Sequence, residues 1–326
     1  MTDGKYTLSD VHSTYKAKDA WWTVLLVDPI ASRLVVPVAN YTNITPNQIS
    51  AVSFVVGMFA AYSFYVGSAE ALLVGAILYH ISFILDCMDG KIARLKGNGS
   101  MFGVLLDIML DHIRVIVCGV ALTVGQFQLT GDHTFLFLAL LFMFVYFFRH
   151  YNALTLYKLR RQMRGKIKKA RANRNKEEKA LVRAHWLHTE HWIDDAHPAA
   201  ALKEDVERAG RILSEAEEKV RRYTEGRVKE DAEEKRKIDL QQAFKSKFPR
   251  YLKIREMLLR NRIRMHLFSG IEFQMFIFII APIVGFIPEI ILFSSALLFM
   301  FELAIIYKLW LSTKDFEKEL AKIQDV

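Results

Sequence analysis

The stretch DCMDGKIARLKGNGSMFGVLLDIMLD (86–111) sits between two apolar segments and carries Asp86, Asp89, Asp107 and Asp111. Its flanks decide the fold. Ala69–Ile92 and Met101–Val124 are each long enough to cross a bilayer, which takes about 20 apolar residues. The short polar stretch around Gly97 joins them, so the two helices are expected to run antiparallel. Asp86 and Asp89 lie three apart and Asp107 and Asp111 four apart, so on helices each pair shares a face. The two pairs can therefore face one another across the turn.

Four further apolar runs extend the pattern in both directions: Gln48–Val66, His133–Tyr157, Leu267–Phe286 and Pro288–Leu311, the last two joined by the turn GFIPE (285–289). The expectation is an all-α, polytopic membrane protein with six transmembrane helices. The composition agrees: 52% of residues are hydrophobic although 24% are charged, so the two populations must be segregated. The net charge of +9 is carried largely beside apolar runs. The positive-inside rule explains it without nucleic acid. The basic segment KLRRQMRGKIKKARANR (158–174) marks the cytoplasmic side, and the Gly97 turn, with Lys91, Arg94 and Lys96, falls on the same side. Both termini are then cytoplasmic. The first twenty residues lack a secretory signal, so insertion through the chain's own spans is expected, in the cell (inner) membrane. Cys87 and Cys118 lie in apolar runs and indicate no disulfide framework.

Residues 1–44 form a cytoplasmic N-terminus. Within it DAWWTVLLVDPIASRLVVPVANY (19–41) is apolar but interrupted by Asp28, Pro29, Arg33 and Pro37. It is expected to be an interfacial amphipathic helix, with a seventh span as the alternative. Residues 45–158 hold spans one to four, 265–312 spans five and six, and 313–326 a cytoplasmic tail. Residues 159–264 are a long charged insertion. Leu202, Val206, Ala209, Leu213, Ala216, Val220 and Tyr223 alternate spacings of four and three, a heptad seam. After a break at DDAHPAA (194–200), this predicts a cytoplasmic helical, coiled-coil-like insertion: a helical hairpin, or a coiled coil that also helps dimerisation, with two solvated helices as the alternative.

Four carboxylates in a low-dielectric site repel one another strongly and need cations. Salt bridges to Lys91, Arg94 or Lys96 would satisfy one or two of them. Hard divalent ions with oxygen ligands, Mg²⁺, Mn²⁺ or Ca²⁺, suit all four. Two such ions can clamp a phosphoryl group. Gly90, Ala93 and Gly103 supply the small side chains that let a ligand approach.

The order Asp86, Asp89-Gly90, Ala93-Arg94, Gly103, Asp107, Asp111 resembles the CDP-alcohol phosphotransferase signature at every fixed position and spacing. TPNQIS (45–50) and the six apolar runs also look like that family, while the insertion does not. The resemblance implies an enzyme of phospholipid synthesis that cleaves a CDP-alcohol, releases CMP and joins the phospho-alcohol to an acceptor hydroxyl. It implies two divalent cations, Mg²⁺ or Mn²⁺, on Asp86, Asp89, Asp107 and Asp111, with Asp111 also the base. Asp89, Gly90, Ala93, Arg94 and Gly103 would line the nucleotide site, and a homodimer is expected. Asn47 either reaches the nucleotide or belongs to a helix start capped by Thr45. Arg149, His150, Asn152, Arg264 and His266 either hold the acceptor or anchor helix ends. Glu272 and Glu302 lie inside spans, with no partner identifiable. The leading donor is CDP-diacylglycerol with a small polar acceptor. The alternative moves a CDP-linked headgroup onto a lipid alcohol such as diacylglycerol. A divalent cation transporter fits less well, because the acids sit at one membrane edge rather than the midplane. A membrane scaffold would make no use of the motif.

Overall fold

A computed structural model describes residues 5–194 and 249–324. The predicted heptad seam and the break before it lie outside these residues. The described chain is all-α: α1 (Leu8–Ser13), α2 (Thr23–Tyr41), α3 (Pro46–Val66), α4 (Ala69–Lys96), α5 (Met101–Thr130), α6 (Thr134–Asp194), α7 (Pro249–Arg260), α8 (Gly270–Val284) and α9 (Ile287–Gln324). Helices α2 and α8 each contain one π-turn, Thr23–Val27 and Phe276–Ile280. The described residues form no strand, only an isolated bridge between Asp19 and Ile263.

Each of the six apolar runs is helical. Five helices are long and apolar enough to cross a membrane: Thr23–Tyr41, Pro46–Val66, Ala69–Lys96, Thr134–Lys176 and Ile287–Ile323. Helix α5, with Asp107, Asp111 and Arg114 in its first half, is not among them, and α8 is a shorter apolar helix. The protein is an all-α polytopic membrane protein. Large apolar side chains face outward, Phe59 61%, Phe137 70%, Leu140 69% and Phe293 60% exposed. Such a surface suits lipid and not water.

The chain divides into two compact units, residues 1–156 with 248–307, and 157–247 with 308–326. Helices α6 and α9 each begin in the first unit and run on into the second. In the second unit Arg171 pairs with Glu319 at 3.0 Å, and Met163, Ile167, Leu309 and Leu311 are buried.

The first unit holds the α4–α5 hairpin, and its turns explain why the helices start and stop where they do. Thr45 caps α3 in a reciprocal box with Gln48, with Pro46 at the first helical position. Ser68 and Ser100 cap α4 and α5. Gly67 and Gly97 end α3 and α4 with φ of 73° and 63°, a conformation that favours glycine.

Helices α3, α4 and α5 then pack closely. A Cβ on Gly125 would lie 2.5 Å from the carbonyl oxygens of Phe64 and Tyr65. Ser53 Oγ donates to Ser82 O at 2.8 Å and Ser82 Oγ to Ser53 O at 2.7 Å, a reciprocal clasp between α3 and α4. Hydroxyl pairs of this kind join helices where lipid offers no hydrogen bonds. Below them Phe64, Tyr79, Phe142, Phe273 and Phe278 are buried together, the Tyr79 and Phe278 rings 4.6 Å apart.

The N-terminal segment is fastened by charge as well as by packing. Asp28 of α2 is buried and meets Lys91 Nζ of α4 at 2.8 Å and Arg262 Nη2 at 3.1 Å. Asp19 N donates to Arg262 O and Arg264 N donates to Asp19 O, both at 2.8 Å. Trp21 Nε1 donates to Leu267 O at 2.8 Å. Lys91 is thus a buried ion-pair partner of Asp28.

Two stability outcomes follow from these contacts. Asp28→Ala strands Lys91 as a buried unpaired cation, and should destabilise the protein by roughly 3–5 kcal/mol in detergent unfolding. Gly125→Leu forces α3 and α5 apart and should lower stability by about 1–3 kcal/mol or more. Unchanged melting of either variant would show that these contacts do not hold the unit together.

Candidate active site at the α4–α5 hairpin

Asp86 and Asp89 lie in the last turns of α4, and Asp107 and Asp111 in the first turns of α5. The Gly97–Ser100 turn sets the two pairs face to face. Carboxylate oxygens of Asp86, Asp89 and Asp107 come within 4.8 Å of one another. At that separation two full charges repel by about 3–4 kcal/mol even at an effective dielectric near 20. A positive charge among them, or a proton held by one of them, relieves that repulsion.

Part of the compensation is built into the chain. Arg114, three residues beyond Asp111 on α5 and only 3% exposed, is ion-paired with Asp111. Its Nη2 also lies 3.4 Å from Asp86 Oδ1. On its other side Nη1 donates to Ser53 Oγ at 2.8 Å and Ser82 Oγ at 3.0 Å. The Tyr79 ring lies beneath the guanidinium at 6.0 Å. Gly57 provides the lane, since a Cβ there would stand 2.5 Å from Arg114 Cδ. Asp89 accepts a hydrogen bond from Ser50 of α3. Among the described residues the cation ion-paired with these acids is Arg114, and not Lys91, Arg94 or Lys96.

The expected nucleotide-lining residues gather at the same turn. Asn47 Oδ1 lies 2.6 Å from where a Gly103 Cβ would stand, so Asn47 both belongs to the capped start of α3 and faces the start of α5. The Arg94 guanidinium covers Gly90, with Nη1 3.2 Å from a Cβ there, and its Nε donates to Thr14 O at 2.8 Å. Ala93 abuts Gly99 across the turn.

The expected acceptor residues fall into two groups. Arg149 Nε meets Glu302 Oε1 at 2.8 Å, and Asn152 donates to the other Glu302 oxygen. Arg149 also lies against Gly270 at the start of α8. His150 is held through Nδ1 on Tyr146 O at 2.8 Å, its ring 4.5 Å from that of His112. Arg264 Nη2 sits 3.6 Å from Asp19 Oδ1, with half-buried His266 two residues on. His112 follows Asp111 on α5, so through His150 the first group borders the aspartate hairpin. Glu302 thus has its partners on α6. Glu272 caps its own helix, accepting from Ser269 N at 2.9 Å and Ser269 Oγ at 2.5 Å.

Sequence reasoning passed over Arg114, Ser50, Ser53, Ser82 and Gly57. Arg114 had a readable signal, a cation within a span one helical turn after an acid. The serines and Gly57 had none, because their roles depend on the register between helices.

The donor set fits a divalent metal. Asp86, Asp89 and Asp107 offer hard carboxylate oxygens close enough to share one ion, with excess negative charge that such an ion offsets.

Residues 43–181 match the family model for CDP-alcohol phosphatidyltransferase. The chain is 38% identical over 81 residues to an archaetidylinositol phosphate synthase of Pyrococcus horikoshii, covering 24% of this chain and 42% of that protein. It is 40% identical over 68 residues to a bifunctional IPC transferase and DIPP synthase of Aquifex aeolicus, 21% of this chain and 15% of that protein. It is 29% identical over 89 residues to a phosphatidylinositol phosphate synthase of Corynebacterium glutamicum, 27% of this chain and 37% of that protein. In each case the match spans less than half of the relative's length. The aspartates, the glycines and Arg94 all lie inside the matched segment, and residues 43–181 are a CDP-alcohol phosphatidyltransferase domain.

Proposed function

We propose that this protein is an integral-membrane transferase that moves a phospho-alcohol group from a CDP-alcohol to an acceptor hydroxyl and releases CMP. The observation that carries this is the convergence of Asp86, Asp89 and Asp107 beside an Arg-paired Asp111 at one turn. We further propose CDP-diacylglycerol as donor. Two of the relatives are named archaetidylinositol phosphate synthase and phosphatidylinositol phosphate synthase, and these names support a phosphorylated polyol of the inositol phosphate kind as acceptor. The basic 158–174 segment supports a cytoplasmic active site and six spans, with α2 lying along the interface.

In this scheme the acceptor oxygen attacks the phosphorus that bears the alcohol. The bond to the bridging oxygen breaks, that oxygen leaves on CMP, and Asp111 takes the acceptor proton. Asp86, Asp89 and Asp107 would hold Mg²⁺ or Mn²⁺, which when bound offsets pyrophosphate charge and makes CMP a better leaving group. Arg94 is aimed at a phosphate once it leaves the Thr14 carbonyl. Gly90 and Gly103 keep space for the nucleotide, and Asn47 faces it from α3. Asp111 is the more open of the two acids on Arg114, its side chain 38% exposed against 16% for Asp86, so it can meet an incoming hydroxyl. A carboxylate is a weak base for an alcohol, but it needs to accept the proton only as attack proceeds.

The test is CMP release by purified protein with Mg²⁺ or Mn²⁺, CDP-diacylglycerol and a panel of acceptors. Asp107→Ala should abolish release, and Asp111→Asn should slow it by roughly 100-fold or more with melting unchanged. Chelation should stop the reaction and added Mn²⁺ should restore it. Release with a different alcohol but not with inositol phosphate would overturn the acceptor. No release above the Asp107→Ala background from any pair of substrates would overturn the reaction itself.

A further inference from the structure

We infer that Lys16 is a phosphate-binding residue of the hairpin site, with the pyrophosphate of the donor nucleotide as its ligand. It is carried by residues 14–19, a strap between α1 and α2 that is fastened to the C-terminal turns of α4. The choice of a nucleotide pyrophosphate as ligand rests on the proposed transfer reaction; the placement of the cation does not.

The strap is tied down through its backbone and through Tyr15. Thr14 O accepts from Arg94 Nε of α4 at 2.8 Å. The Tyr15 hydroxyl is hydrogen-bonded to Ser32 of α2, and Lys91 Nζ of α4 stands 5.8 Å over the Tyr15 ring. Arg262 then holds the strap at three points. Its guanidinium lies 4.0 Å over the Tyr15 ring, its Nε donates to Lys16 O at 3.3 Å, and its carbonyl accepts from Asp19 N at 2.8 Å. Its Nη2 is anchored on buried Asp28 at 3.1 Å. Arg262 has a φ of 61°, a left-handed conformation that a residue with a Cβ keeps only where its surroundings over-determine it. These contacts fix the Lys16 carbonyl and leave its side chain unused. That side chain is exposed, and its ammonium makes no hydrogen bond or ion pair among the described residues. Its charge nevertheless reaches Asp107 of α5, one of the three carboxylates that fit a divalent ion. A lysine so placed has no anion of the protein to neutralise, and as a mobile point charge it suits a phosphate brought to the same carboxylates. The position also selects the phosphate. Asp107 is the α5 acid nearer the turn at residues 97–100, where Gly90, Arg94 and Gly103 gather, while Asp111, the proposed base, lies one helical turn farther on. Lys16 therefore serves the nucleotide end of the site, and the donor's pyrophosphate is its ligand rather than a phosphate of the acceptor.

The test reads nucleotide binding directly. Binding of CDP to the detergent-purified full chain is measured by calorimetry in saturating Mn²⁺. Lys16→Met keeps the length of the side chain and removes its charge, and should weaken CDP binding by roughly tenfold. Lys16→Arg keeps the charge and should stay within about threefold of wild type. Lys18→Met, two residues along the same strap, should also stay within about threefold. Melting of all three should match wild type, because the strap is held through Lys16 O and not through the side chain. Lys16→Gln is a second neutral variant with the same expectation as Lys16→Met. In turnover, the KM for the CDP-alcohol should rise by roughly tenfold in Lys16→Met and the KM for the acceptor should not change. CDP affinity within about threefold of wild type in the neutral Lys16 variants overturns the inference, and so does an equal loss in Lys18→Met, which would show only the general charge of this face. A raised acceptor KM with an unchanged donor KM would put Lys16 on the acceptor and overturn it too. Absence of saturable CDP binding by the wild type overturns it as well. If CDP binding depends on Lys16 but no substrate pair releases CMP, the transfer reaction fails and the phosphate site stands. If CMP is released and CDP affinity ignores Lys16, the reaction stands and the phosphate site fails.

Discussion

The ion pair between Arg114 and Asp111 is the constraint around which the hairpin is arranged. A buried cation is tolerated where opposite charges and hydrogen-bond acceptors meet it. Here the partners come from three helices: carboxylates on α4 and α5, and serine hydroxyls on α3 and α4. The helices cannot separate without exposing that charge. The serine clasp between Ser53 and Ser82 and the Gly57 lane belong to the same arrangement, since both shape the space the guanidinium fills. Packing and site electrostatics are therefore one network.

A second buried charge performs a similar task at the margin of the site. Asp28 ties α2 to α4 through Lys91 and to the stretch before α8 through Arg262. The Asp19–Ile263 bridge and the Arg94 bond to Thr14 O add to it. As a result, three segments far apart in sequence are gathered at the C-terminal end of α4, where the proposed nucleotide would bind. In hydrocarbon or at its edge such polar contacts face little competition from water, which is why a few of them can fix the docking of whole helices.

Local features of the chain were legible in proportion to how local their causes are. Thr45, Ser68 and Ser100 mark helix starts because a cap acts within one turn. The paired spacing of the aspartates puts each pair on one face for the same reason. Asn47 illustrates the limit. Its place in a capped helix start was readable, but its approach to Gly103 depends on how α3 packs against α5. Glu272 and Glu302 both stood out as acids inside spans, and their fates differ. The first caps its own helix, while the second is held by Arg149 and Asn152 on α6.

The sequence by itself determined that the chain is helical and membrane-embedded, that two acid pairs meet at one turn, and that the motif resembles a CDP-alcohol phosphotransferase. These follow from periodicity, run length and spacing, all of which act along the chain. Only the tertiary structure decided that Lys91 is spent on Asp28, and that Arg114 rather than the basic turn residues faces the carboxylates. Those outcomes depend on the register and rotation of one helix against another. Helix register is set by close contacts such as Gly57 against Arg114 and Gly125 against Phe64, which leave no periodic trace in the sequence.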